Sequence, residues 1–211
     1  MPSSWERIAS ATLTGTNAEL NSGTFTPKDH LRVVFNGFNQ SADSDVMMRV
    51  GTGGTIDTGA NYTWRNCRNG GTDAEQHTQN ELQIVGGSFN TANATSQGVI
   101  QIVNKSDEEK LFSSHTGTAI AGSGSTSGQV PDRIELAGKW GNTAGQINTI
   151  RIFVPSNSAV FAIGASITVF GADDQTFSYT YPLVPAGSIF EESDTGKHYM
   201  WDGTNTWNEV G

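Results

Sequence analysis

A chain of 211 residues can hold one large domain with a real core, or one such domain and a small appendage, and two full-sized domains are excluded. Hydrophobic residues supply only 35% of it, while Gly, Ser, Thr and Asn supply about two-fifths, a composition of short strands and polar turns that excludes long amphipathic helices. The formal net charge of −9, without clustered Lys and Arg, excludes a sequence-independent nucleic-acid binder, and the single Cys67 excludes an internal disulfide framework and a multi-cysteine metal site.

From the N-terminus, apolar residues recur at every second position in runs bounded by Gly, Asn, Asp, Ser or Pro, the pattern of half-buried strands. The runs are Trp5 to Leu13, Leu31 to Phe38, Val46 to Val50, Asn61 to Arg65, Glu81 to Val85 and Val99 to Val103. They continue with Lys110 to His115, Val130 to Trp140, Ile147 to Val154 and Ala165 to Phe170. In the ninth run Ile150, Ile152 and Val154 form a buried face and Thr149, Arg151 and Phe153 a mixed one. About ten strands without a helix predict an all-β fold, an antiparallel, jelly-roll-like β-sandwich over residues 1–171. Ala119 to Gly128, nearly pure Gly, Ser and Thr, reads as a mobile surface loop.

Residues 172–187 read as a linker, with prolines at 182 and 185. Residues 188–211 then predict a small meander, because Asp194-Thr195-Gly196 and Asp202-Gly203 place turn residues between aromatic strands. Phe190, Tyr199, Trp201 and Trp207 are more large apolar groups than so small a unit can cover, so they form the candidate interaction surface, packing on the main domain or a neighbouring copy.

Sites for chemistry are poorly supported. No Gly-x-Ser-x-Gly elbow, phosphate-cradling loop or His-Glu-x-x-His pattern occurs, so neither a catalytic residue nor a cofactor or metal is expected. The carboxylate groups Asp43/Asp45, Asp107/Glu108/Glu109, Asp173/Asp174 and Glu191/Glu192 read as solvated turns. A Ca²⁺ loop on Asp43 and Asp45 lacks the full ligand pattern, and a glycosidase would need two carboxylates facing across a cleft. Trp64, Trp140, Trp201 and Trp207 could stack on sugar rings but more commonly fill cores or interfaces. Four Asn-x-Ser/Thr sequons, at Asn39, Asn61, Asn93 and Asn104, read as chance products of composition. The N-terminus shows no apolar signal core and no stretch is long enough to span a bilayer, so the expected site of synthesis is a cytoplasm, with no membrane partner.

Two stretches carry a resemblance. Trp5-Glu6-Arg7-Ile8-Ala9-Ser10-Ala11-Thr12-Leu13, Asn21 to Thr26, Val103 to Leu111 and Glu135 to Trp140 together resemble β-rich structural proteins of tailed phages. Glu191 to Trp207 is similar to a short module near the ends of phage fibre and decoration proteins, of the form Thr-Asp-Thr-Gly-Lys-x-Tyr-x-Trp-Asp-Gly-Thr-x-Trp. Ser193 stands here for the first Thr, and Asn205-Thr206 precedes the last Trp. The resemblance implies a virion protein, and because the module occurs on both heads and tails it does not fix the location. With no long repetitive stem and no coiled-coil heptads, the leading expectation is a non-enzymatic capsid decoration or short head fibre, binding the major capsid protein or other virion proteins. A homo-oligomer, trimeric by analogy with viral surface proteins, goes with it. A tail-fibre or receptor-binding tip is the close alternative. A carbohydrate-binding module or lectin, using Trp64, Trp201 or Trp207 on a host glycan, is the alternative of another class.

Overall fold

A computed structural model of the chain describes residues 4–42, 44–86, 95–119, 131–155, 159–174, 184–204 and 206–210. The chain divides into two compact units, residues 1–175 and 176–211. The fold is all-β, and the described residues contain no helix.

The first unit is a two-sheet antiparallel sandwich. Its eight-stranded sheet takes, in spatial order, β1 (Glu6–Thr12), β13 (Ser166–Ala172), β3 (His30–Asn39), β9 (Thr95–Val103), β10 (Lys110–Ala119), β11 (Asp132–Trp140), β6 (Tyr62–Arg68) and β7 (Ala74–Gln79). The five-stranded sheet takes β2 (Glu19–Thr24), β12 (Thr149–Phe153), β4 (Val46–Thr52) and β5 (Thr55–Ile56), with β8 (Leu82–Val85) also on β4. Every run of alternating apolar residues recognised in the sequence is a strand. The three strands without such a run, β2, β5 and β7, each pair with a single neighbour at a sheet edge. An edge strand needs little apolar content, and β7 (Ala-Glu-Gln-His-Thr-Gln) is solvent-exposed along almost its whole length.

The core is continuous between the sheets. Leu31, Val33, Phe35, Ile100, Ile102, Phe112, Ile167 and Val169 from one sheet meet Val46, Met48, Val50, Ile150 and Ile152 from the other. In β12 the face predicted as mixed is also covered. Thr149 and Phe153 are buried, with the guanidinium groups of Arg49 and Arg151 each 4.7 Å from the centre of the Phe153 ring. Strands β9 and β10 extend beyond their apolar runs because small polar residues turn inward there. Ser96 and Thr118 are buried and share a hydrogen bond of 2.9 Å between their hydroxyls. Gly98 has a comparable role, since a Cβ there would lie 2.6 Å from the Phe35 ring and 2.7 Å from the His115 carbonyl.

A polar node ties the sheets together. The buried Trp140 of β11 donates its indole N–H to Asp57 Oδ2 at 2.7 Å. Asp57 follows β5 and also accepts from the Gly59 amide and the Asn61 side chain, both at 2.8 Å. Tyr62, stacked on Trp140 at 6.4 Å between ring centres, bonds through its hydroxyl with the amide and carbonyl of Val50 in β4, at 3.1 Å each. Burial pushes the Asp57 carboxyl up, but the donors from Trp140, Gly59 and Asn61 and the charge of Arg49 outweigh it and hold the group below its ordinary value. Asn104 is a second node. Fully buried, it donates to the Lys28 and Ile147 carbonyls and accepts from the Ile147 amide, so its sequon is closed to modification.

Asp173 and Asp174, read from sequence as a solvated turn, are instead fastened to the sandwich. Lys28 lies 2.8 Å from both Asp173 and Glu6, and Asp174 meets His30 at 2.7 Å and Lys105 at 3.0 Å. Main-chain bonds reinforce these pairs, the Asp29 amide donating to Asp173 and the Asp174 amide to Asp29. The loop Ala119 to Gly128 falls outside the described residues except at Ala119, as does most of the 172–187 linker.

Trp140→Phe keeps an aromatic ring but removes the donor to Asp57, and urea unfolding should show a loss of about 1–3 kcal/mol with an unchanged m-value. The hydrogen bonds from His30 and Lys105 hold the Asp174 carboxyl down at about 2, and that from Lys28 lowers Asp173. A lowered folded-state pKa contributes stability above the unfolded value near 3.9, and that stability is lost as pH falls toward 2. Asp174→Asn should therefore be less stable than the parent at pH 7, with the gap closing on acidification, as followed by thermal melts across that range.

Candidate functional site

The second unit contains three short strands in sequence order, β14 (Ile189–Glu192), β15 (Lys197–Trp201) and β16 (Trp207–Glu209). Its turns form where their chemistry predicts. Gly196 and Gly203 take φ of +67° and +87°, a region that side chains with a Cβ seldom enter. The Asp202 carboxylate accepts from the Thr204 and Thr206 amides at 2.7 and 3.1 Å, and the Asp202 amide bonds to the Thr206 carbonyl.

Register decides what these strands present. Phe190 pairs with Tyr199, Tyr199 with Glu209, and Trp201 with Trp207. Directly opposed residues share a face, as do residues two apart on one strand. Phe190, Tyr199, Trp201 and Trp207 therefore all lie on one face, accompanied by Glu192, Lys197 and Glu209. The Trp201 and Trp207 rings stand 5.3 Å apart at 47°, and Phe190 meets Trp207 edge-on at 6.2 Å. Phe190 remains 54% and Trp207 40% exposed, while Tyr199 and Trp201 are half-buried. Lys197 bonds to Glu209 at 3.1 Å, which raises the ammonium pKa. The reverse face carries Ile189, Glu191, His198, Met200 and Asn208, with Ile189 and Met200 exposed.

The four aromatic residues singled out from sequence are thus brought together, whereas Glu192, Lys197 and Glu209 were missed as their companions. The alternate spacing of Lys197, Tyr199 and Trp201, and of Trp207 and Glu209, is the signal that finds them.

Other sequence candidates are placed elsewhere. Trp140 is buried and offers no ring face to a sugar, whereas Trp64, partly buried against the sandwich core, lines an open groove on the eight-stranded sheet. His30, His77, His115 and His198 stand beside four different carboxylates, Asp174, Glu75, Glu135 and Glu191. Glu109 pairs with Lys139 at 2.8 Å, Asp43 lies outside the described residues, and Cys67 directs its thiol to the Gly71 carbonyl. Among the described residues no group of three or more His, Cys, Asp or Glu could hold a metal ion. The grooves on the eight-stranded sheet are open. One of about 300 Å³ is lined by Thr63, Arg65, Glu75, Leu111, Ala137 and Lys139, with Arg65 already committed to Glu75 at 2.6 Å.

Gly203→Ala tests the meander geometry. The new Cβ would sit 2.7 Å from the Ala186 methyl at a positive φ. The circular-dichroism couplet of the Trp201/Trp207 pair should weaken or vanish, at a cost of about 1–2 kcal/mol to the turn.

No protein-family model, curated protein or solved structure matches the chain.

Proposed function

We propose that this chain is a non-enzymatic structural protein of a tailed-phage particle, a decoration or short head fibre on the capsid exterior, acting by protein–protein binding. The observation that carries the binding role is the convergence of Phe190, Tyr199, Trp201 and Trp207 on one face of the meander, with Phe190 and Trp207 still largely exposed. A three-stranded unit has little interior, and aromatic side chains left at its surface are the groups that anchor interfaces. The particle assignment rests on the similarity of Glu191 to Trp207 to the module of phage fibre and decoration proteins. In this reading the sandwich is the rigid body of the protein, and its partners are the major capsid protein or other virion proteins, with a homo-oligomer built from further copies.

The test is cosedimentation of the purified chain with empty heads, tails and host cells, with electron microscopy of the pellets. Saturable binding to heads that Trp207→Ala weakens at least tenfold, about 1.4 kcal/mol, is the expected result. Binding to tails or cells alone would transfer the protein to host recognition, and binding to none of the three would remove the proposal.

A further inference from the structure

The outward face of the eight-stranded sheet carries two cations that no carboxylate balances. Lys28, Arg49, Arg65, Lys139 and Arg151 each stand against a carboxylate, as befits an acidic chain. Among the described residues Arg7 and Arg32 have no such partner. Register places both on one face, because Arg7 pairs with Phe170 of β13 and Phe170 with Arg32 of β3. Leu31 and Val33, on either side of Arg32, are buried in the core, so that face is the outward one. The two main chains are two strand spacings apart, about 10 Å. The Arg32 guanidinium lies over the Trp5 indole, 4.9 Å from the ring centre, and its Nε is buried without a hydrogen-bond partner. The stack thus holds the group in place, and among the described residues no ion pair occupies its terminal nitrogens.

A groove of about 490 Å³ runs beside this stack, lined in part by Trp5, Gln101, Val103, Leu111, Ser113 and Ala137. Register sorts the lining into two rows. Arg32, Gln101 and Ser113 oppose one another across β3, β9 and β10, while Val103 and Leu111 form the next row, two residues along. Leu111 is 57% and Trp5 39% exposed, so the apolar part of the groove is open to solvent. A polar row headed by an unbalanced guanidinium, beside an aliphatic row, is complementary to a carboxylate and an apolar group held side by side.

We infer that this groove takes an acidic segment of a protein partner, with a carboxylate on the Arg32 guanidinium and an aliphatic side chain over Val103 and Leu111. Arg32 and Val103 are diagonal neighbours across β3 and β9, about 7–8 Å apart. Side chains two apart in an extended segment share one side at about 7 Å, which matches that spacing. The terminal nitrogens of Arg32 can bind a carboxylate as a fork, and Arg7 adds positive charge at longer range. The net charge of −9 repels a polyanion such as nucleic acid and leaves a single carboxylate as the anion the face admits. The aliphatic row has no donor or acceptor for sugar hydroxyls, which favours a protein segment over an acidic glycan. This surface belongs to the body of the protein, goes beyond the binding assigned to the meander and does not depend on it.

The probes are the peptides acetyl-Leu-Gly-Glu amide and acetyl-Leu-Gly-Gln amide, which differ by a single charge, and methyl glucuronide. Each is titrated into the full chain while the Arg32 Nε–H and the Trp5 and Trp140 indole signals are followed by NMR. The glutamate peptide should shift the Arg32 and Trp5 signals saturably and bind about threefold or more tighter than the glutamine peptide. Trp140, held by Asp57 in the core, should not move. Arg32→Gln should weaken binding by about tenfold, and Arg32→Lys, which keeps the charge without the fork, should recover only part of it. Arg7→Gln, at an exposed position, should weaken it by about threefold, and unchanged dispersion of the remaining amide signals verifies that each variant is folded. Equal binding of the two peptides, binding that ignores Arg32→Gln, a response to methyl glucuronide alone, or no response at all would each overturn the inference. So would self-association of the chain that Arg32→Gln abolishes, because it gives the groove to a second copy. Particle binding that depends on Trp207 without any peptide response would leave the proposed function in place, and a peptide response without particle binding would do the reverse.

Discussion

The hydrogen bond from the Trp140 indole to the Asp57 carboxylate is the directional contact around which the sandwich is organised. Apolar packing between two sheets is strong but almost indifferent to small sliding displacements, because burial depends on area and not on direction. The Asp57 node removes that freedom. It joins a side chain of the eight-stranded sheet to the segment after β5, and the neighbouring Tyr62 hydroxyl reaches the main chain of β4. Both aromatic rings are buried, so their polar tips need partners, and the node supplies them at the cost of desolvating one carboxylate.

The same economy of polar contacts recurs around the body. Asn104 satisfies main-chain groups of two separate loops from a fully buried position, and Lys110, also buried, donates its ammonium hydrogens to the Glu108 and Asn142 carbonyls. Burial pushes the Lys110 ammonium down in pKa, the opposite of the raised Lys28 and Lys105, which have carboxylate partners at the surface. The clasp at Asp173 and Asp174 places its charges where the described part of the first unit ends, so the last strand, β13, finishes in contacts to β3 and the segment before it. These contacts satisfy the body's buried Asn104 and Lys110, while the buried Gln40 amide and the Ser114 and Thr116 hydroxyls have no hydrogen-bond partner among the described residues. The exposed aromatic groups of the meander are matched mainly by each other, and their convergence on one face underlies the assignment of binding to the smaller unit.

Much of this was legible in the order of residues, and the exceptions share a cause. Strand β3 reads directly from Leu31, Val33 and Phe35 in alternation, and β13 from Ile167 and Val169, because an interior strand must cover the core with every second side chain. Strands β2 and β7 escaped notice because an edge needs main-chain pairing on one side only and gains from polar residues that discourage further pairing. The inward turn of Ser114, Thr116 and Thr118 on β10 was equally hidden, since their burial is imposed by the register with β9 and β11 and not by hydrophobicity. Likewise Asp173 and Asp174 resemble any solvated acidic turn until Lys28, His30 and Lys105 are brought to them across the fold.

By itself the sequence determined the all-β class, the position of nearly every core strand, the turns of the meander and the identity of its four aromatic residues. These depend on alternation and turn chemistry, which are local properties of the chain. Tertiary structure alone decided that strands distant in the chain interleave into one eight-stranded and one five-stranded sheet, and that Trp140 finds Asp57 across the core. In the meander it decided that the sets Phe190/Glu192, Lys197/Tyr199/Trp201 and Trp207/Glu209, each on one side of its own strand, fall on one common face, because a shift of one position in either pairing would have sent one set to the opposite side.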